Sequence, residues 1–273
     1  MFAAIIFMCQ CKKEKEVPYP NEDIVKVNAK AALFFHTVFR EAENAWALID
    51  SVQYAEDVYK DPANLTTKYK ELKYSESANT VTIEYNAWET NNLLLIGRIV
   101  INFKKDSYRR SQMLATVILN NFSINGQDVV GESTITFTGN SEKDLYTYTL
   151  LEGAAIREEG TSKPEQISCS ISKGQYERIE GRKTFSQKDD LWSYQGVMKG
   201  KLRNDPNLNY TNTVLATSTY LINDENYNGI IYYSMNCTTA QKGISQIKIP
   251  GRSDIAIYYA CSGYKFLTVT HVD

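Results

Sequence analysis

The sequence predicts a mainly β protein: a large antiparallel meander sheet (open, curved or sandwich-like) with one N-terminal amphipathic helix packed on it. Three observations carry this. Beyond about residue 66, apolar residues recur at every second position in one segment after another. Short turn dipeptides separate those segments. A single stretch near the N-terminus instead repeats its apolar residues at helical spacing. The 19 tyrosines, with Thr, Ile and Val, suit a pleated, half-buried surface.

The chain opens on the apolar run Met1 to Met8, then Cys9-Gln10-Cys11, then Lys12-Lys13-Glu14-Lys15-Glu16. A short apolar core with a processing site reads as a secretory signal. Ending at cysteine and followed by a charged tether, it resembles a bacterial lipoprotein signal. The Lys and Glu residues just after the cysteine resemble the surface-export signal of Bacteroidetes lipoproteins. Cys11 is the expected lipidated residue because the tether follows it directly, with Cys9 as the alternative. The implied location is the outer membrane or cell surface, lipid-anchored, where disulfides persist. Of 5 cysteines, Cys169, Cys237 and Cys261 then remain in the body. The expected division is 1–11 signal, 12–25 tether (with Pro18 and Pro20), and 26–273 a single β-rich domain with an N-terminal helix.

From about Val27 to Asp50 the apolar set is Val27, Ala31, Phe34, Phe35, Val38, Ala42, Ala45, Trp46 and Ile49. Lys30, Arg40, Glu41 and Glu43 fill the expected polar arc, and His36 lies beside the apolar face. The wide apolar face predicts docking on a sheet, with Phe35 and Trp46 buried.

The strands follow. Val81, Ile83 and Tyr85 alternate with Thr80, Thr82 and Glu84; Ile99, Ile101 and Phe103 with Arg98, Val100 and Asn102. Ile135 and Phe137 alternate with threonines, and Ile167, Cys169 and Ile171 with serines. Turn signals lie at Asn125-Gly126, Gly139-Asn140, Asn228-Gly229, Pro250-Gly251 and Ser262-Gly263. About a dozen short strands are expected.

The stretches GRIVINF, VILNNFSINGQDVVGESTITFTG, YYSMNC and GISQIKIPGRSDIAIYYACSGYKFLTVT resemble a family of uncharacterised secreted lipoproteins of Bacteroidetes. The resemblance covers roughly residues 27–272. It implies a long β-meander behind an N-terminal helix and carries no assigned activity. In that family the Asn-Gly turn and two C-terminal cysteines recur, here Asn125-Gly126 and Cys237 with Cys261. A Pro250-Gly251 hairpin placing Ile244 opposite about Tyr259 brings these cysteines to one end of the sheet, so a Cys237–Cys261 disulfide is expected. Cys169 is then a buried thiol on an apolar face.

Charge excludes some functions. With 30 Lys+Arg against 32 Asp+Glu, no basic excess exists to neutralise phosphates, so nucleic acid is not an expected partner. No interior run approaches the roughly 20 apolar residues of a membrane helix. The only histidines, His36 and His271, are isolated in sequence, which argues against a triad or zinc site. Gly-x-Ser-x-Gly, His-Glu-x-x-His and phosphate-cradling glycine loops do not occur. The acidic pairs Glu56-Asp57, Glu158-Glu159 and Asp189-Asp190 suit solvated loops better than a hydrolase cleft.

Asp224, Asn226 and Asn228, followed by Gly229, match the first half of a calcium loop, but Met235 stands at its twelfth position. A hairpin turning at Asn228-Gly229 explains the same residues. No metal or other cofactor is expected. Aromatic residues remain as ligand candidates: Trp88, Trp192, Tyr194, Tyr232 and Tyr258. Adjacent tyrosines, Tyr232-Tyr233 and Tyr258-Tyr259, must point to opposite faces, leaving one of each for a sugar ring or a protein partner. A sheet buried on both faces, or isolated surface tyrosines, accounts for them better.

The expected function is a lipid-anchored cell-envelope or surface protein without catalytic activity, a binding or structural module for a protein or glycan partner. The alternative is a carboxylate-based glycan-hydrolysing enzyme, which needs two inward carboxylates converging in a cleft.

Overall fold

A computed structural model describes residues 22–54, 70–75, 78–90, 92–104, 114–137, 145–157, 167–180, 191–202, 205–214, 219–222, 225–234, 237, 241–252, 254–261 and 263–269. One helix, α1 (Glu22–Tyr54), precedes the strands. It starts before and ends after the predicted span, and Glu22 and Asp23 in its first turn suit the positive end of the helix dipole. Along α1, Ile24, Val25, Ala31, Phe35, Val38, Phe39 and Ala42 are buried, and so are Asn28, Arg40, Glu41 and Glu43. At 100° per residue these positions cover about 260° of the circumference. Among the α1 residues whose burial is described, Lys26 and Lys30 are exposed, and Val27, Leu33, His36 and Thr37 are half-buried. A helix buried on so many sides needs a surface that curves around it.

That surface is one antiparallel sheet. Eight strands follow each other as neighbours: β1 (Lys70–Ser75), β2 (Thr80–Thr90), β3 (Leu93–Phe103), β4 (Leu114–Ile124), β5 (Gln127–Phe137), β6 (Leu145–Arg157), β7 (Ile167–Glu180) and β8 (Leu191–Leu202). Period-2 alternation sets their faces. Val81, Ile101, Val117 and Ser133 form an inward row across β2 to β5, and Thr80, Asn102, Thr116 and Thr134 form the row behind it. Fully burying each inward Val or Ile contributes about 1.5–3 kcal/mol. The β4–β5 connection is a two-residue turn with Asn125 at φ 52° and Gly126 at φ 77°, the mirror-image type that suits strand twist.

Beyond β8 the path is less regular. β9 (Asp205–Val214) pairs with the second half of β8, and β12 (Ile231–Ser234) with the first half. Val214 lies opposite Gly196 and Ile231 opposite Tyr194, so β9 and β12 are one strand position interrupted by residues 215–230. The excursion holds the hairpin β10 (Thr219–Ile222) and β11 (Glu225–Asn228). β13 (Lys242–Lys248) pairs with both β9 and β12, and β14 (Asp254–Ala260) and β15 (Gly263–Val269) complete the sheet. Where the excursion rejoins the sheet, Gly243 has φ +132° and a Cβ there would lie 2.2 Å from the Ile230 carbonyl oxygen.

Curvature comes from aligned bulges. Register shifts fall between Tyr85 and Trp88 in β2, at Gly97 in β3, between Leu119 and Ser123 in β4, and at Gly131 in β5. Ala87, Gly97, Asn121 and Gly131 all have positive φ at these points. Each bulge adds local twist and bend, and a row of them folds the sheet along one line. A Cβ at Gly97 would sit 2.0 Å from the Asn121 carbonyl oxygen, so the strands approach there closer than any other residue allows.

Two expected registers need correction. The 215–230 hairpin turns between Ile222 and Glu225, with Asn228 paired to Thr219 at its open end, so Asn228-Gly229 is not the turn. The excursion's strands pair with each other ahead of that dipeptide. Ile244 faces Tyr258, not Tyr259, because the chain between β13 and β14 spends five residues, 249–253, reversing around Pro250-Gly251. There Arg252 N–H donates to the Ile249 carbonyl at 3.1 Å with Gly251 at φ 72°, the type II pattern.

Candidate functional site

The densest chemistry lies where the middle of α1 meets the inner face of β1, β2, β7, β8 and β12. Glu41 is buried and accepts two hydrogen bonds on Oε2, from Lys70 Nζ at 2.7 Å and from the Tyr85 hydroxyl at 2.5 Å. Burial, then the Glu41 charge and this hydrogen bond, hold the Tyr85 phenol well above its usual range. Glu43 accepts from Arg40 Nη1 at 3.0 Å, one turn earlier on the helix, and from Arg178 Nη2 of β7. The Arg40 and Arg178 guanidinium carbons each lie 4.8 Å from the Trp192 ring centroid. Strand register explains this meeting: Arg178 is opposite Trp192 across β7 and β8, and Tyr233 is opposite Trp192 across β8 and β12.

An aromatic layer continues from the ion pairs. Phe39 stacks on Tyr176 with centroids 4.2 Å apart and meets Trp192 edge-on at 5.1 Å. Tyr176 lies 4.9 Å from Tyr194. His36 stacks on Tyr233 at 4.0 Å with ring planes 10° apart. Burial, then Tyr259 and Tyr194, push the Tyr233 phenol well above its usual range. The Tyr259 hydroxyl lies 3.3 Å from Ser245 Oγ, within hydrogen-bond reach.

Chemically, the Glu41 and Glu43 carboxylates are each satisfied by cations. Among the described residues no three His, Cys, Asp or Glu side chains group as a metal site. The band locks the helix to the sheet and orders the aromatic layer.

The structure distributes the sequence candidates unevenly. Trp192 and Tyr194 are each 1% exposed and face inward, which corrects the expectation that they serve a ligand on an accessible face. They are enclosed because the curved sheet presses them on α1. Trp88 is half-buried just past the bulge at Ala87 and packs against the core. Tyr232 and Tyr258 are half-buried on the outer face, Tyr232 with Lys242 Nζ 4.8 Å from its ring centroid, while Tyr233 and Tyr259 point inward. Cys237 and Cys261 are joined by a disulfide with a Cα separation of 4.7 Å. Cys169 pairs in register with Ile156, and its side chain lies outside the described residues. So do Cys9, Cys11, Asp224, His271, the side chain of Trp46 and the three acidic pairs. Asn226 and Asn228 lie in the extended strand β11, not in a wrapped coordination loop.

Arg40, Glu41 and Glu43 are the residues that sequence reasoning placed wrongly, on a solvent-facing arc. They are buried because the sheet covers both flanks of the helix. A signal was present: at 100° per residue these charges spread over about 160°, too wide for one polar stripe. Their partners Lys70, Tyr85 and Arg178 lie far along the chain and carry no such signal.

The chain matches no family model, and neither the curated proteins nor the solved structures yield a match.

Proposed function

We propose that this chain is the body of an exported, lipid-anchored cell-envelope or surface protein that acts without catalysis, as a binding or structural module for a protein or glycan partner. The observation that carries the reading is the state of the interior. Glu41 and Glu43, the inward carboxylates a hydrolase would need, are each neutralised by cations inside a packed core. The alternative, a carboxylate-based glycan hydrolase, has no free acid–base pair to draw on among them.

Two further features support export. The Cys237–Cys261 disulfide suits an oxidising compartment. The N-terminal Cys9-Gln10-Cys11 and its charged tether supply the anchor, with Cys11 as the lipidated residue. No described helix is long and apolar enough to cross a membrane. A partner would meet the outer face of β2 to β5, where Thr80 donates to Asn102 Oδ1 at 3.0 Å and Ile96 is 42% exposed.

The test is metabolic labelling with palmitate in a host that processes lipoproteins, using the chain behind a basic n-region. The protein is expected to take up label and partition into detergent, and Cys11→Ala to abolish both. Labelling that persists in Cys11→Ala and is lost in Cys9→Ala moves the site to Cys9; no labelling of the parent ends the anchored reading.

A further inference from the structure

We infer that His36 is an acid-operated latch: protonation of its ring loosens α1 from β7, β8 and β12 while leaving β2 to β5 in place. His36 sits on the one helix that precedes the sheet, so the latch governs how firmly the N-terminal part of the chain is coupled to the rest. Its ring lies flat on Tyr233 at 4.0 Å and tilts against Tyr176 at 5.5 Å and Phe39 at 6.4 Å. Although the residue as a whole is part-exposed, Nδ1 is enclosed and has no hydrogen-bond partner among the described residues.

Among the described residues, the groups around it offer a proton no counter-charge. From α1 come Phe39 and, one turn on, Arg40; from β7, Tyr176; and from β12, Tyr233, with Tyr194 of β8 and Tyr259 of β14 beyond it, and Arg178 beside Arg40 at the Trp192 ring. The two arginines are cations, and the carboxylate among them, Glu43, is bound by both. Burial first, and Arg40 second, hold the His36 imidazole well below its usual range. An imidazolium over the Tyr233 ring would regain part of the cost, though not the hydration lost at Nδ1.

The sign follows from linkage. In the unfolded or undocked helix His36 titrates near pH 6.5, and in the docked state it titrates lower. Docking is therefore fully favoured above about pH 6.5. Below that, the docking equilibrium constant falls by up to about tenfold per pH unit until the docked ring itself takes a proton. Glu41, Lys70 and Tyr85 hold the far flank of α1 at β1 and β2, away from His36, so the loosening is one-sided.

The chain has only two histidines, which makes the experiment direct. Imidazole resonances of the full chain, followed by NMR from pH 8 to pH 4.5 and assigned with His271→Gln, are expected to show the His36 ring staying neutral well below pH 6.5. Hydrogen exchange, corrected for intrinsic rates, is expected to lose up to about tenfold protection per pH unit in α1 below pH 6.5, with β2 to β5 unchanged. His36→Phe keeps an aromatic ring on Tyr233 and cannot titrate, so its α1 protection is expected to be flat with pH. A His36 ring that titrates near pH 6.5, loss of protection shared equally by helix and sheet, or an unchanged pH response in His36→Phe would each overturn the latch. The two wild-type measurements decide it even where that variant does not fold.

Discussion

Glu41 and Glu43 stand two residues apart on α1 and hold strands on opposite flanks of the helix. Glu41 binds Lys70 of β1 and Tyr85 of β2, and Glu43 binds Arg178 of β7. Two residues advance a helix by about 200°, so the carboxylates point nearly opposite ways. One helix pinned to the first, second and seventh positions of a sheet requires that sheet to bend around it. The aligned bulges supply the bend, and the ion pairs fix its registration on α1.

Removing the Glu43 charge is expected to be costly. Glu43→Gln removes the carboxylate that Arg40 and Arg178 share beside Trp192, and breaking one partner of a buried pair costs about 3–5 kcal/mol. Urea melts at neutral pH are expected to show a loss of about 3 kcal/mol. For Glu41→Gln the loss should be smaller, about 1–2 kcal/mol, because the Lys70 side chain is 20% exposed and water can take up part of its charge. A loss below about 1 kcal/mol in Glu43→Gln would mean the clamp adds nothing to helix docking.

What the sequence revealed and concealed follows from the range of the forces involved. Inward residues such as Val81, Ile83, Ile99 and Ile101 were legible because strand alternation is local and one face is buried. The Asn125-Gly126 turn was legible because its residue types specify a backbone. The bulge row was not, since Ala87 has positive φ although nothing in its side chain favours it. Nor was the interruption between Val214 and Ile231, where two distant segments occupy one strand position beside β8. Helical spacing located the core of α1 and misjudged Arg40, Glu41 and Glu43, because periodicity does not say how far around a helix its partner reaches.

Two glycines with positive φ should respond differently to alanine. Gly251→Ala places a methyl group in open space, so only the left-handed backbone is strained, at about 1–2 kcal/mol. Gly243→Ala puts its Cβ 2.2 Å from the Ile230 carbonyl oxygen and 2.7 Å from the Ile231 Cα, both backbone atoms that cannot swing aside. The strand re-entry at Ile231 must then shift, and the expected loss exceeds about 3 kcal/mol. Thermal melts of the pair check this, and equal losses would contradict the close approach.

The disulfide ties the chain just after β12 to the turn between β14 and β15, across a sequence separation of 24. Closing a loop of that length constrains the unfolded chain by about 3 kcal/mol in the chain-entropy model. Cys261→Ser with Cys237→Ser is expected to lower stability by about that much in urea, with β2 to β5 retaining their hydrogen-exchange order. Oxidised and reduced wild type melting together would show that the bridge contributes nothing.

The last prediction makes the same chemical change at two tyrosines and expects opposite signs. The Tyr85 hydroxyl donates to the Glu41 carboxylate, a charge-assisted bond inside the core, so Tyr85→Phe is expected to cost about 2 kcal/mol. The Tyr233 hydroxyl is enclosed without a hydrogen-bond partner, beneath the His36 ring. Tyr233→Phe keeps the stack and removes a desolvated polar atom, so stability is expected to hold or rise by up to about 1 kcal/mol. Alkaline behaviour should separate the two further. Both phenols are raised above their usual range, so each favours the native state fully below about pH 10 and withdraws that contribution as pH rises past it. Tyr233→Phe is therefore expected to shift the alkaline unfolding midpoint upward, since it deletes the group that withdraws support without deleting any bond. Urea melts at pH 7 and pH 11 measure both effects, and a Tyr233→Phe loss matching that of Tyr85→Phe would show that the buried hydroxyl has a partner after all.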